Sequence, residues 1–390
     1  MGIRALELAR ALAEDGFDTR LLVSNDPGEA REAAGPLRVC PAPPGQFASA
    51  ARNAQAAVVS GHAANWFFHQ VPAVPVAADL YDPFPIENLH YAEAEGKETA
   101  RHDRETLNLA LARADFFLCA SGEQRLFYAG ALYETGRVGP HNFPGDPALS
   151  RLLAIVPFGV PAEAARGDRS VGRAAVGVPA DGPLLLFGGI YDWYDPEPLL
   201  EAWPAILERE PRAKLLFFES PNPETTPQKV FARVRERARV LDPGGRSIFF
   251  SPWLPYGSRA DLYAAVDLAV SIGSESLETD LAYRTRLLDA AWGGVPSIAI
   301  GGGALARELS EAEALLAIEP SASALAAAVT ALLPDRERLG GLSQAARLFA
   351  SRRTWREMAA PLSAWCREPR VDPGRRPFPK APRRWWGRKA

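Results

Sequence analysis

Short apolar runs alternate along the chain with segments whose apolar residues recur every three or four positions, a pattern that predicts an α/β protein of repeated strand and helix. Residues 2–16 carry Ala5, Leu8, Ala9, Leu12 and Ala13 at helical spacing with Gly16 as a stop, so the chain opens on a helix. Apolar runs at 19–23, 56–60, 74–80 and 115–120 read as strands, and the charged stretch 92–113 as a helix. Ser121 with Gln124 has the form of a capping box. The prolines of 155–161 form a stiff hinge, and the same alternation then resumes. Strands are predicted at 184–187, 214–218, 247–250, 264–272 and 295–300, and helices at 196–209, 321–333 and 342–349, the first with Asp195 as N-cap. Gly188-Gly189 reads as a tight turn between strand and helix, where glycine lets backbone amides approach phosphate oxygens closely.

Residues 274–303 carry the most chemistry. A helix is predicted from near Ala282 through Ala291, because Leu287, Leu288 and Ala291 keep helical spacing and Gly293-Gly294 stops it. Arg284 and Arg286 then fall in its first turn, where cations are disfavoured unless an anion joins them. A diphosphate fits that requirement, with Glu278 in the preceding loop and Asp289 further along to accept hydrogen bonds from a ribose. The competing reading is a solvated helix with ion pairs from Glu278 or Asp280 to Arg284.

At this stretch the sequence resembles the nucleotide-sugar binding segment of retaining glycosyltransferases of family 4. The counterparts are Glu278, the loop 279–283, Asp289 and Gly294-Val295-Pro296. It departs from the common form in a longer spacing between the carboxylates, in Asp as the second of them, and in Arg284-Thr285-Arg286, which resembles a bacterial subgroup with an arginine-rich loop. The run 155–161 resembles the family's interdomain linker, 253–256 its base-flanking loop, and 354–365 its closing helix. The opening helix resembles one that in the family follows a strand and a glycine loop.

The resemblance implies a GT-B fold, two doubly wound Rossmann-like domains facing across a cleft, the first lacking its first strand. An incomplete start and a shortened domain both fit that lack. The implied domains are 1–157 for the acceptor, 158–353 for the donor, a crossing-back helix at 354–366, and a basic, disordered tail at 367–390. The implied activity is retaining transfer of a sugar from a nucleoside diphosphate sugar to a glycan or lipid-linked acceptor in cell-surface polysaccharide synthesis. Catalysis falls to His62, Arg284 and Glu278, and donor binding to Gly188, Gly189, Trp253, Tyr283, Arg284, Thr285, Arg286 and Asp289. No metal and no cofactor beyond the donor substrate is implied. His62 ends the 56–60 strand, where a histidine can serve a sugar hydroxyl or simply pack. An epimerase or hydrolase on the same fold would draw on His62, Asp79, Asp82 and Glu87 as acids and bases, and a non-catalytic scaffold would bind no sugar nucleotide.

Composition narrows this further. With 47% apolar and 23% charged residues the chain has a globular make-up, and no apolar run approaches the ~18 residues of a bilayer span. Cys40, Cys119 and Cys366 lack metal-ligand spacing and fit the free thiols of a cytoplasmic protein. From Arg367 onward the lysines and arginines face only Glu368 and Asp372, so the tail is basic and the body acidic, which argues against nucleic-acid binding by the body. Basic residues beside Trp385 and Trp386 suit peripheral contact with an anionic membrane on its inner face; a tail that only solubilises is the alternative.

Overall fold

A computed structural model describes residues 2–24, 27–70, 74–220, 222–223 and 226–376. Contacts divide them into two compact units. Unit 1 holds residues 2–85, 97–157 and 359–376, and unit 2 holds 86–96 and 158–358.

Unit 1 opens on the helix Gly2–Glu14. Its strands are β1 (Arg20–Val23), β2 (Arg38–Pro41), β3 (Ala57–Ser60), β4 (Val76–Asp79), β5 (Phe116–Cys119) and β6 (Leu153–Ile155), and every pairing is parallel. They form two ladders, β1-β2 and β3-β4-β5-β6, and among the described residues β1 and β3 each bond a strand on one side only. β4 and β5 are buried along their whole length, while β1 and β3 are not, and Val58 on β3 stays 38% exposed.

Unit 2 holds β7 (Leu184–Gly189), β8 (Lys214–Phe218), β9 (Ile248–Ser251), β10 (Leu268–Ile272), β11 (Ser297–Ile300) and β12 (Leu316–Ala317). They make one parallel sheet in the order β12-β11-β10-β7-β8-β9. The continuous apolar runs follow from burial on both faces. Leu185 and Phe187 of β7 enter one core with Leu215, Val270 and Trp203, and Leu184 and Leu186 enter the other with Leu216, Leu262 and Val295. This is the doubly wound order, whose switch point lies between β7 and β10.

Several elements differ from the sequence reading. Gly188 and Gly189 do not form a separate turn but end β7, with the register shifting between Leu186 and Gly188, which sits at φ +89. The predicted strand 264–272 is shorter, because Ala264 and Ala265 close the helix Arg259–Ala265. Glu278 is not in a loop: Ser276 Oγ accepts from the Thr279 N–H at 3.2 Å and starts a short helix, Leu277–Leu281. Ala282 is extended, and the next helix begins at Thr285 instead of Ala282, with Arg284 as its N-cap and Gly294 in the left-handed region at its end. Gln124 accepts from Ala120 N–H, not from the cap residue Ser121, while Ser121 Oγ accepts from Gln124 N–H.

The closing segment is two helices, Trp355–Met358 and Ala360–Arg367, because Pro361 starts a new first turn. Beyond Arg367 the chain is not free in its described part. Asp115, a buried carboxylate, accepts from Asp372 N–H and from Arg375, and the buried Arg137 donates to Asp372 at 2.8 Å. Those two buried charges need partners, and residues 372–376 supply them. Residues 377–390, with Trp385 and Trp386, lie outside the described residues.

Candidate functional site

The carboxyl ends of β7 and β10 meet at the switch point of unit 2, where open α/β sheets take ligands. β7 ends on Gly188-Gly189, and Gly273 directly follows β10. A side chain at Gly189 would press on Trp253, whose ring comes to 3.2 Å of the Cβ position, and one at Gly273 would press on Thr279 at 2.9 Å. Gly188 lies beside Arg286, whose Nη1 is 3.6 Å from the corresponding Cβ position and donates to Phe187 O at 3.1 Å. The absence of side chains at these glycines thus leaves room for the Trp253 ring, the Thr279 side chain and one guanidinium to come close to the main chain.

The two arginines of the 284–286 stretch behave differently. Arg284 is buried and forks onto the buried Glu278, Nη1 to Oε1 at 2.9 Å and Nη2 to Oε2 at 2.6 Å, with Thr279 Oγ1 at 3.3 Å. Burial works against the Arg284 charge, but Tyr194 and Glu278 outweigh it and leave its pKa raised. Arg286 is only partly buried and has no carboxylate partner among the described residues. Both guanidinium groups sit on one ring, Tyr194, at 4.6 Å for Arg284 and 3.9 Å for Arg286.

The other expected donor residues are placed as follows. Thr285 opens the helix Thr285–Gly293 and is partly exposed, and Tyr283 is buried just before it. Asp289, further along that helix, accepts from Arg259 at 2.7 Å, and Arg259 lies over Tyr256 at 3.5 Å. Burial pushes the Asp289 carboxyl up despite that arginine. Trp253 follows β9, is 46% exposed and meets Phe218 edge-on.

His62 belongs to unit 1, in the first turn of the helix Gly61–His69 after β3. Its Nε2 is 3.6 Å from Asp103, a buried carboxylate, and its ring stacks on His102 at 5.4 Å. A small cavity beside it is lined by Ser60, Gly61, Asp79, Phe84 and Thr106. Asp79 is taken by Arg4, which donates to both its oxygens at 2.7 and 2.9 Å and to Val156 O. Asp82 falls in unit 1 and Glu87 in unit 2.

Sequence reasoning missed Tyr194, Arg259, Asp103 and Arg4. Arg4 had a signal: it lies one turn before Leu8 on the apolar face of its helix, where a charge needs a buried partner. Tyr194 also had one, in the aromatic run Tyr191, Trp193, Tyr194 directly after the glycine pair. Among the described residues no group of His, Cys, Asp and Glu is arranged to hold a metal ion, and no helix is long and apolar enough to cross a membrane.

Comparison with known proteins bears on the fold. The chain shares its two-unit α/β fold with HepE of Anabaena, solved in complex with UDP and glucose, at TM-score 0.67 and 16% identity over 92% of this chain and 95% of that one. Sucrose-phosphate synthase from Thermosynechococcus elongatus matches at TM-score 0.62 and 16% identity, over 93% of this chain and 91% of that one. A glycosyltransferase from Rickettsia africae matches at 0.64 and 13%, over 95% of each. No family model matches the sequence, and no curated protein matches it.

Proposed function

We propose that this chain is a glycosyltransferase that binds a nucleoside diphosphate sugar in unit 2 and passes the sugar to a glycan or lipid-linked acceptor in cell-surface polysaccharide synthesis. The observation that carries the reading is the switch point with Gly188, Gly189 and Gly273, with Arg286 beside it as a cation that has no carboxylate partner among the described residues. Main-chain amides that can approach closely, plus one guanidinium, are what a diphosphate requires. Support also comes from three proteins of the same fold, two of them glycosyltransferases or synthases by name and one solved with UDP and glucose.

In this reading transfer proceeds with retention. The bond from the anomeric carbon to the phosphate oxygen breaks, the acceptor hydroxyl bonds to the same face, and its proton leaves with the diphosphate. Catalysis is then mostly positioning and stabilisation of departing charge. Arg286 and the glycine amides take the diphosphate, Trp253 flanks the base, and Asp289 with Thr285 lies toward the ribose. The Glu278–Arg284 pair with Tyr283 forms the wall beneath them. The enzyme works in the cytoplasm, with the basic tail as a peripheral membrane contact.

A thermal-shift screen with UDP-, GDP-, dTDP- and ADP-sugars tests this, because a ligand that binds only the folded state raises the melting temperature. One sugar nucleotide should raise it by several degrees. No shift with any of them at millimolar concentration would leave a non-catalytic scaffold.

A further inference from the structure

Arg286 is a long side chain whose charge has no carboxylate partner among the described residues, yet its guanidinium has a defined place. Two groups hold it there: the Phe187 carbonyl accepts from Nη1 at 3.1 Å, and the Tyr194 ring lies under it at 3.9 Å. The ring itself is fixed. Tyr194 pairs with Gly273 in an isolated antiparallel bridge, the next residue donates its amide to Ile272 O at 3.3 Å, and Phe187 meets the ring edge-on. Tyr194 therefore ties the ends of β7 and β10 to each other across the switch point.

The same ring carries Arg284 at 4.6 Å, so two like charges share one aromatic surface. That arrangement would repel if both were uncompensated. Glu278 cancels one of them through its fork, which leaves the attraction of the ring for Arg286 intact. The carboxylate thus falls to the buried arginine, and the partly exposed one keeps its charge for a ligand.

We propose that Tyr194 is a positioning residue: its ring sets the Arg286 guanidinium beside Gly188, ready for the diphosphate of the donor, while the Glu278–Arg284 pair keeps the other arginine out of that role. The inference rests on the nucleotide-sugar reading and adds which cation meets the anion and what holds it. An unfixed arginine would have to be ordered when ligand arrives, and that ordering weakens binding.

Isothermal titration of the full chain with UDP, and separately with inorganic pyrophosphate, tests it, with calorimetric melting to confirm folding. Arg286→Ala should lower UDP affinity by about tenfold or more, the scale of one charge-assisted hydrogen bond. Tyr194→Leu should lower it by about the same factor, Tyr194→Phe, which keeps the ring, should restore most of it, and the double variant Tyr194→Leu/Arg286→Ala should bind no worse than Arg286→Ala alone. Unchanged UDP affinity in folded Tyr194→Leu would overturn the inference, and so would losses that multiply in the double variant. Wild-type protein that binds pyrophosphate but no nucleotide would remove the nucleotide-sugar reading and leave the Tyr194–Arg286 test intact on pyrophosphate. Wild type that binds neither would end both.

Discussion

Six parallel strands run without a break through unit 2, from β12 to β9, whereas unit 1 carries its strands as a pair and a quartet. In unit 2 the inner strands β7, β8, β10 and β11 are buried along their length and each face of the sheet has its own apolar core. Among the described residues of unit 1 only β4 and β5 reach that state, and β1 and β3 keep half-buried residues beside backbone that bonds a strand on one side. A strand with a neighbour on each side loses water from both of its hydrogen-bonding edges, and that is where a sheet holds rigid groups in place. The glycines of the candidate site sit at the ends of β7 and β10 in the continuous sheet, and its arginines open the helix Thr285–Gly293 that precedes β11. His62 sits at the end of β3, next to the interruption.

The largest contrast should come from substitutions in the two sheets. Trp203 is fully buried against the unit 2 sheet and donates from its indole to Ser247 Oγ at 3.1 Å, so Trp203→Ala should cost ~3–5 kcal/mol in urea unfolding. Val58→Ala on β3 should cost under ~1 kcal/mol, since its side chain is already partly in water. Equal costs would erase the distinction between the sheets.

Arg284→Ala comes next, at ~3 kcal/mol or more, because it leaves Glu278 charged and buried without its partner. Glu278→Gln together with Arg284→Met should recover a good part of that loss. A fully stable Arg284→Ala would show that the pair is not the buried strut described here.

This substitution also shows what was legible in the sequence and what was not. The run at 184–187 was legible as a strand, but the glycine pair read as a separate turn instead of as the strand's own end. The competing reading paired Glu278 or Asp280 with Arg284 as a solvated contact, and the pattern did not tell that the Glu278–Arg284 pair would be buried. That depends on Ser276 starting a helix turn at Leu277, which swings Glu278 onto Arg284, and a one-residue cap leaves almost no periodic trace. Unit 1 gave β1, β3, β4 and β5 but neither β2 nor β6, and its polar partners poorly: Arg4 with Asp79 is separated by 75 positions, and Asp115 finds Arg375 from 260 away. Such pairs are made by topology, and local spacing carries no record of them. The tail read as unstructured from its prolines because the buried charges that hold residues 372–376 lie elsewhere in the chain.

A smaller effect, read by hydrogen exchange, should separate the sheets without mutation. Amides of β1 and β2 should exchange by local opening well before those of β7, β8 and β10, which should need near-global unfolding of unit 2. Matching protection across both sets would mean the interruption has no energetic weight.

The smallest expected effect concerns pH. Burial works to raise the Asp242 carboxyl, but backbone amides of Arg246, Ser247 and Ile248 outweigh it and hold its pKa below the ordinary range. A depressed folded-state pKa gives stability that is present above the unfolded value and lost as pH falls through the folded one. Asp242→Asn should therefore weaken unit 2 at neutral pH and converge on wild type in acid. Asp115 in unit 1 has the opposite sign: burial raises it despite Val76 N–H and Arg375, so the stability tied to its proton is fully present below the ordinary carboxylate value and is lost as pH rises through the raised folded one. Parallel stability-against-pH curves for wild type and Asp242→Asn would refute the first assignment.

Hydrogen exchange of the full chain with and without saturating UDP-glucose tests the central claim most directly, since it reports where a donor settles. Protection should appear at residues 187–191, 272–275 and 283–287 of unit 2, around Gly188, Gly273 and Arg286, and should vanish in Arg286→Ala. Protection confined to unit 1, or exchange unchanged by UDP-glucose and by other nucleoside diphosphate sugars, would contradict the account.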